Sequence, residues 1–178
     1  SLFRRRDYIQ EAAVPGFYHG QIDGVFLSKY LSPERKKDPR KEKIENILNM
    51  AHQSAEQSDN GATECPFTIR PAEPGDVEEM AELFGRVFES YPFPVTNPAY
   101  LEDTMESHVR YFCALDGGRI AAVSSCEMDQ AAENVEMTDF ATLPEYRKKG
   151  LAQALLATME EHMEAMGIQT FYTIARSL

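Results

Sequence analysis

The chain contains no tryptophan, only three cysteines and four histidines, and no apolar run that approaches the roughly 20 residues needed to span a bilayer. Cys65, Cys113 and Cys126 are odd in number and follow neither a CxxC nor a Cys/His spacing, which argues against a disulfide framework and against a metal site. We therefore expect reduced, buried thiols in a cytoplasmic protein with no bound metal and no membrane segment.

Basic side chains are also scarce. The 178 residues carry 18 lysines and arginines against 29 aspartates and glutamates, which gives a formal net charge of -11. A nucleic acid is therefore not an expected partner, whereas a small cationic amine substrate suits the acidic composition. The sequence leaves open whether the chain forms a homodimer.

The stretch from residue 135 to residue 167 has the pattern of a strand, a basic turn and a helix. The strand-like run ends before Pro144, and the turn at residues 147–150 leads directly into the helix. Apolar side chains recur in the helix at spacings of three and four: Leu151, Leu155, Met159, Met163 and Met166. The free N–H groups and the dipole at the start of a helix favour an anion, so this stretch predicts a phosphate site. A solvated basic turn is the alternative interpretation.

Residues 1–31 predict a β-hairpin with strands near residues 11–18 and 24–30, joined through the turn signals Gly20 and Asp23-Gly24. An isolated hairpin is marginal in water, so it must dock on another element. We hypothesise that it either pairs beside the last strand of the chain or belongs to an upstream domain.

The remaining chain divides into a charged linker with one helix, residues 32–65, and a main domain, residues 66–178. In the main domain we expect the order β-α-α-β-β-β-α-β. The expected strands cover residues 67–71, 109–115, 119–128, 135–143 and 169–175, and the helices cover residues 76–88, 98–107 and 151–166. Asp76 is the expected N-cap of the first of these helices, with Glu79 completing a capping box, and Asp116-Gly117-Gly118 is the clearest hairpin turn.

The pattern Arg147-x-x-Gly150-x-Ala152, which follows a strand and opens a helix, resembles the acetyl-CoA signature [QR]-x-x-G-x-[GA] of the GNAT acetyltransferases. The resemblance implies an α/β (α+β) GNAT acyl-CoA N-acyltransferase fold, a mixed central sheet with flanking helices, whose closing strands would lie beyond Leu178. It also implies acetyl-CoA as co-substrate. The residues implied to bind it are Phe140, Ala141, Thr142, Leu143, Arg147, Lys148, Lys149, Gly150, Leu151 and Ala152.

Three stretches narrow this resemblance, because EMTDFATLPEYRKKGLA, ESYPFP and YTIAR are similar to the beta-lysine N6-acetyltransferases. Those enzymes acetylate the terminal amine of 3,6-diaminohexanoate from acetyl-CoA and so make a compatible solute. They also carry a GNAT-like region upstream, so the resemblance implies that residues 1–31 are its tail and that the chain is truncated at both ends. An acetyltransferase of another small amine or polyamine, and a non-catalytic CoA-binding regulatory module, remain alternatives.

An alkyl ammonium with a pKa of about 10.4 must lose a proton before it attacks a thioester, so direct transfer needs a carboxylate base. Glu136 and Asp139 are the candidates, and the resemblance favours Glu136 because of its distance from Arg147. Strand alternation would point the two carboxylates to opposite faces, and a β-bulge, which the family has on this strand, would bring both toward the cleft. Either could instead be a strand-end carboxylate with a structural hydrogen bond. A backbone N–H near Phe140 is the expected oxyanion donor, and no general acid is assigned.

The loop at residues 90–98, rich in proline and aromatic residues, could be a rigid surface connection or a wall over the acceptor site. The residues expected to contact the substrate are Glu89, Tyr91, Phe93 and Tyr172.

Overall fold

The computed structural model of the chain describes residues 2–57 and 66–175. These residues form two compact units. The larger unit comprises residues 15–23 and 66–174, and the smaller unit comprises residues 2–14, 24–57 and 175. The tip of the amino-terminal hairpin therefore belongs with the predicted main domain rather than with the rest of the hairpin.

Five strands of the larger unit form one mixed sheet in which they lie side by side in chain order. The strands are β3 (Thr68–Pro71), β4 (Val109–Asp116), β5 (Arg119–Asp129), β6 (Asn134–Thr142) and β7 (Thr170–Tyr172). All neighbours are antiparallel except β6 and β7, which run parallel. The glycines at the predicted hairpin turn have φ values of 56° and 90°, as a tight turn between β4 and β5 requires.

Three helices cover the two faces of this sheet: α3 (Val77–Val87), α4 (Pro98–Met105) and α5 (Leu151–Ala165). The side chains of α3 and α4 share one buried cluster with Tyr111 and Val123, whereas α5 packs against Phe112 and Val135 on the other face. The stripe predicted on α5 is buried as far as Met163, and each such side chain contributes about 1.5–3 kcal/mol by leaving water. The mixed sheet with flanking helices confirms the fold expected from the sequence.

The sheet opens along β6. The parallel pairing of β7 joins only residues 134–136 to residues 170–172, although β6 remains paired with β5 as far as Thr142. The second half of β6 is therefore free of β7, and Glu136 lies at the point where the two strands part.

The amino-terminal hairpin consists of β1 (Ile9–Tyr18) and β2 (Ile22–Ser28), which form a two-stranded sheet of their own. Its turn lies at residues 19–21, and the expectation that Asp23 and Gly24 form part of the turn is wrong because both lie within β2. His19 and Gly20 adopt the positive φ values of the turn, and the Asp23 carboxylate accepts a hydrogen bond from Gly16 N–H at 3.0 Å. Within the described residues, the hairpin does not extend the sheet beside β7, so the hypothesised strand pairing is not formed.

The smaller unit contains two helices, α1 (Pro33–Lys36) and α2 (Lys41–Gln57), where the sequence predicted one helix in a linker. Ser32 starts α1, because its side chain accepts a hydrogen bond from Arg35 N–H and Pro33 has the φ that a first helical residue needs.

The start of α3 differs from the predicted capping box. Asp76 makes no side-chain bond to α3; its carboxylate accepts from Glu73 N–H at 2.7 Å and pairs with both terminal nitrogens of Arg70. Glu79 points away and accepts from Ile120 N–H at 3.0 Å. A bidentate ion pair is the stronger partner for a carboxylate, and the Arg70 bond holds the pKa of Asp76 below its usual range.

Cys113 and Cys126 are free and buried, and burial raises the pKa of each thiol to about 12. Cys65 lies outside the described residues. None of the helices in the described ranges combines the length and apolar character that a bilayer crossing requires.

Candidate active site

The amino-terminal end of α5 offers free backbone donors. Gly150 precedes the helix with a φ of 82°, and no side chain caps it. The first bond inside the helix runs from Ala154 N–H to the Gly150 carbonyl at 2.9 Å, so the preceding N–H groups of the first turn have no acceptor within the helix. An added Cβ at Gly150 would meet no heavy atom within 4 Å, so this residue faces open space. The geometry fits an anion resting on the helix end.

A groove of about 350 Å³ lies over this helix end. It is lined by Thr142, Tyr146, Arg147, Lys148, Gly150, Leu151, Ala152 and Gln153. Tyr146 and Gln153 were not predicted, whereas the predicted Lys149 lies over the Tyr146 ring, 4.6 Å from its centroid. Arg147 Nε donates to the Thr142 carbonyl at 3.3 Å, which ties the basic turn to the end of β6.

Several predicted cofactor residues can contribute only through their backbone. The side chains of Ala141, Leu143 and Leu151 are buried in the cores of the larger unit. Phe140, in contrast, is 36% exposed and lies on the free half of β6. The strand end and the turn therefore present backbone groups and Phe140 along one continuous edge that leads to the groove.

A pair of carboxylates lies on β5 and β6, at the end of the free part of β6 that is farther from the groove. Glu127 on β5 and Glu136 on β6 are direct partners in the antiparallel register, where opposite side chains lie close together on the same face. Both side chains are half-buried. None of the ion pairs in the described residues includes either of them.

The surroundings of this pair raise both pKa values. Burial raises the pKa of Glu136, the Glu127 charge raises it further, and a hydrogen bond from Ile174 N–H partly opposes the rise. Burial and the Asp139 charge likewise raise the pKa of Glu127, against the effect of His108. A carboxylate with a raised pKa is a better proton acceptor and a favourable site for a cation.

Asp139 lies on the same face, because β6 has a bulge. Val123 pairs with Ala141 and Ser125 with Thr138, so residues 139 and 140 together stand opposite Ser124. Asp139 has a φ of 55°, which is unusual for a residue other than glycine. The bulge expected on this strand is present, and it turns Asp139 toward the same face as Glu136.

Both oxygens of the Asp139 carboxylate are already engaged. Ser125 Oγ donates to one oxygen at 2.6 Å, and the Tyr91 hydroxyl donates to the other in a short hydrogen bond. Asp139 is 7% exposed. Burial and the bond to Asp139 raise the pKa of Tyr91, so its hydroxyl stays a donor. These contacts give Asp139 the surroundings of a fixed structural carboxylate.

Two of the four predicted substrate residues lie at the carboxylates. Tyr91 stacks on Phe88 at 4.5 Å and bonds Asp139. Tyr172 is the register partner of Glu136 on β7. Phe93 lies on the loop and Glu89 lies just before it, both with exposed side chains, and the contacts described above do not involve them.

Sequence reasoning missed Glu127 and Ser125. Both lie at alternate positions in β5, whose buried stretch is apolar apart from these residues and Ser124. Polar residues two apart in a buried strand share one face and need a partner there. The spacing of two between Ser125 and Glu127 could therefore have identified them from the sequence.

Two proteins similar in sequence to this chain are named as N-acetyltransferases. A beta-lysine N(6)-acetyltransferase of Methanococcus maripaludis is 39% identical over 177 residues, which cover 99% of this chain and 64% of that protein. The N-acetyltransferase YodP of Bacillus subtilis is 32% identical over 176 residues, covering 99% of this chain and 63% of that protein. The chain thus spans a little under two thirds of the length of these relatives.

A solved structure shares the fold. The ribosomal-protein-S18-alanine N-acetyltransferase from Escherichia coli has a TM-score of 0.53 and 20% identity, covering 62% of this chain and 67% of that chain. Residues 77–177, more than half of the chain, match the acetyltransferase (GNAT) family. The chain belongs to the acetyltransferase (GNAT) family.

Proposed function

We propose that this chain is the acetyl-CoA-dependent catalytic region of an N-acetyltransferase that acts on the terminal amine of beta-lysine. The observation that supports this most directly is the half-buried Glu127–Glu136 pair, which takes part in no ion pair among the described residues and lies beside the strand leading to the anion groove. Membership in the GNAT family supports the reaction, and the similarity to the beta-lysine N(6)-acetyltransferase of Methanococcus maripaludis supports the substrate.

The groove at the start of α5 fits the pyrophosphate of CoA. In this proposal, the N–H groups of the first turn hold the phosphates, and Arg147 and Lys148 add positive charge at the rim. The exposed edge of β6 around Phe140 carries the pantetheine arm. When bound, acetyl-CoA supplies an acetyl group activated as a thioester.

Glu136 is the proposed base. It lies where β7 leaves β6, and its raised pKa suits it to take a proton from an ammonium group, directly or through water. The backbone N–H of Phe140, next to the bulge, is assigned to the developing charge on the acyl oxygen. Asp139 is assigned to hold the bulge and the Tyr91 loop in place, because both of its oxygens are already occupied.

Glu127 is the proposed anchor for the substrate cation. Two like charges directly opposite each other on a sheet destabilise it, and an ammonium group between them removes that repulsion. Tyr91 and Tyr172 place aromatic rings near the carboxylates, and aromatic faces also attract cations. A small diamine-like amino acid provides such a cation at the end of a flexible alkyl chain.

The test is an acetylation assay with acetyl-CoA on the intact protein, with the product identified by mass spectrometry. The amine panel comprises beta-lysine, lysine and spermidine. We expect the highest kcat/KM with beta-lysine and acetylation at its terminal amine. A preference for spermidine would show that the substrate is a polyamine rather than a diamine-like amino acid. If acetyl-CoA raises the thermal stability of the protein but no amine is acetylated, the protein is a CoA-binding module rather than an enzyme.

A further inference from the structure

The tip of the amino-terminal hairpin, residues 15–23, is fastened to the ends of β6 and β7. His19 N–H donates to the Ala132 carbonyl at 2.7 Å. The side-chain amide of Asn134 donates to the Phe17 carbonyl at 2.8 Å, and Thr170 Oγ1 donates to the Gly16 carbonyl at 2.5 Å. Asn134 is 2% exposed, so its amide is a buried group whose partner the tip supplies.

The approach of the tip is also close. An added Cβ at Gly20 would lie 3.0 Å from Gln169 Cβ, and Gly20 has a φ of 64°. A residue other than glycine would therefore strain the backbone and crowd β7 at the same time. The glycine at residue 20 therefore allows the tip to pack closely against the start of β7.

The tip places one aromatic ring against Tyr172, the residue of β7 that lies next to Glu136. The Phe17 ring packs against the Tyr172 ring with 5.2 Å between the centroids. Tyr172 is the parallel register partner of Glu136 and lies on the same face of the sheet. Tyr172 is the last residue of a strand that pairs over only three residues, and the Phe17 ring packs against it beyond that pairing.

We propose that Phe17 is a positioning residue for the amine acceptor: it holds the Tyr172 ring against the Glu127–Glu136 face, so the hairpin tip forms an end wall of the acceptor pocket. This inference rests on the proposed function, which locates the acceptor at those carboxylates. Nothing in the match to the GNAT family covers the tip, because that match begins at residue 77.

The first test compares Phe17→Ala with Ile22→Ala, a control at an exposed tip residue (61% exposed). We expect Phe17→Ala to raise KM for beta-lysine about five- to tenfold while KM for acetyl-CoA changes less than twofold, and Phe17→Leu to restore part of the loss. Thr170→Val, which removes one tip hydrogen bond without changing side-chain shape, should have a smaller effect in the same direction. A parallel fall of all kinetic parameters, or no change in any, would overturn the proposal.

A second measurement separates this inference from the proposed activity. The intact protein is labelled with 3-fluorotyrosine, and the Tyr172 resonance is assigned by its loss in Tyr172→Phe. Addition of beta-lysine should shift that ¹⁹F resonance in the parent and in Ile22→Ala, and the shift should be lost or strongly reduced in Phe17→Ala at equal ligand. If the parent acetylates no amine, this binding readout still decides the inference. An equal shift in Phe17→Ala would refute the inference alone, whereas no shift in the parent would overturn the proposed acceptor site and the inference with it.

Discussion

Glu127 and Glu136 lie directly opposite each other on neighbouring antiparallel strands, and no ion pair within the described residues neutralises either one. Burial and the charges of neighbouring carboxylates both disfavour the ionised form, so the pKa values of both carboxyls are raised. Such an arrangement weakens an unliganded protein, so we attribute it to the binding of a cation. The predictions below follow from that relationship and from the groove on α5.

Glu136→Gln should lower kcat/KM for the amine by about 100-fold near neutral pH, because the variant lacks the proposed base. The loss should be largest at low pH and smaller as the pH approaches the pKa of the amine, where free amine becomes available. Steady-state kinetics across pH, with acetyl-CoA affinity from calorimetry, provides the check.

Glu160→Gln, at an exposed position on α5, is the matched control and should behave like the parent. A uniform loss in Glu136→Gln across pH would move the role of base to another group or to solvent.

Glu127→Gln should raise the stability of the unliganded protein at pH 8. A folded-state pKa above the unfolded value means that the carboxyl favours folding below its unfolded pKa and loses that contribution as the pH rises through the folded pKa. Removing one of two facing charges should relieve about 0.2–1 kcal/mol, or a rise in Tm of about 1–3 °C.

At pH 4 the same substitution should change Tm little, because the carboxyls are then largely protonated. Thermal melts at both pH values test this pair of outcomes. A lower Tm at pH 8 than the parent would show that Glu127 has a stabilising partner.

Gly150→Asp should abolish acetyl-CoA binding, since it adds a negative charge at the helix end and a side chain at a positive φ. Lys148→Ala should weaken binding by only a few fold. Gly167→Asp is a matched control, because Gly167 has a φ of 86° and open space around it but lies beyond the other end of α5. Calorimetry with acetyl-CoA measures all three. Equal losses in Gly150→Asp and Lys148→Ala would indicate a charge patch rather than a backbone site.

Tyr91→Phe should lower activity without moving the pH profile. The variant keeps the ring stacked on Phe88 and removes only the donor to Asp139, so the folded state should lose about 1–3 kcal/mol. We expect kcat/KM to fall by a similar factor at every pH, in contrast to Glu136→Gln. Tyr100→Phe on α4 serves as the control. If the acidic limb of the kcat/KM pH profile shifts in Tyr91→Phe, Asp139 rather than Glu136 acts as the base.

Local signals predicted much of this fold. The Asp116-Gly117-Gly118 turn and the apolar stripe of α5 each depend on neighbouring residues; the turn is found where expected, and so is the stripe except for the exposed Met166. The Glu127–Glu136 pair depends instead on the register between two strands, which no short stretch of sequence specifies.

The same distinction explains the other differences. Asp76 was expected to cap α3, but its partner Arg70 comes from β3, so a contact between elements overrides a local motif. The sequence predicted that the hairpin turn includes Asp23. In the structure Asp23 lies inside β2, where its carboxylate accepts a hydrogen bond from Gly16 N–H on the neighbouring strand. The docking of the tip joins Phe17 to Asn134, far apart in sequence, and requires the folded sheet.

The most direct measurement of the central claim is the affinity of the intact protein for beta-lysine as a function of pH, by calorimetry, in the parent and in Glu127→Gln. The substrate ammonium stays protonated between about pH 5 and pH 8, so the part of the pH dependence that Glu127→Gln removes reports the carboxylate pair. The account predicts that affinity rises across this range in the parent, and that the rise is markedly smaller in Glu127→Gln. Affinity that is independent of pH, or a rise that is identical in the two proteins, would contradict it.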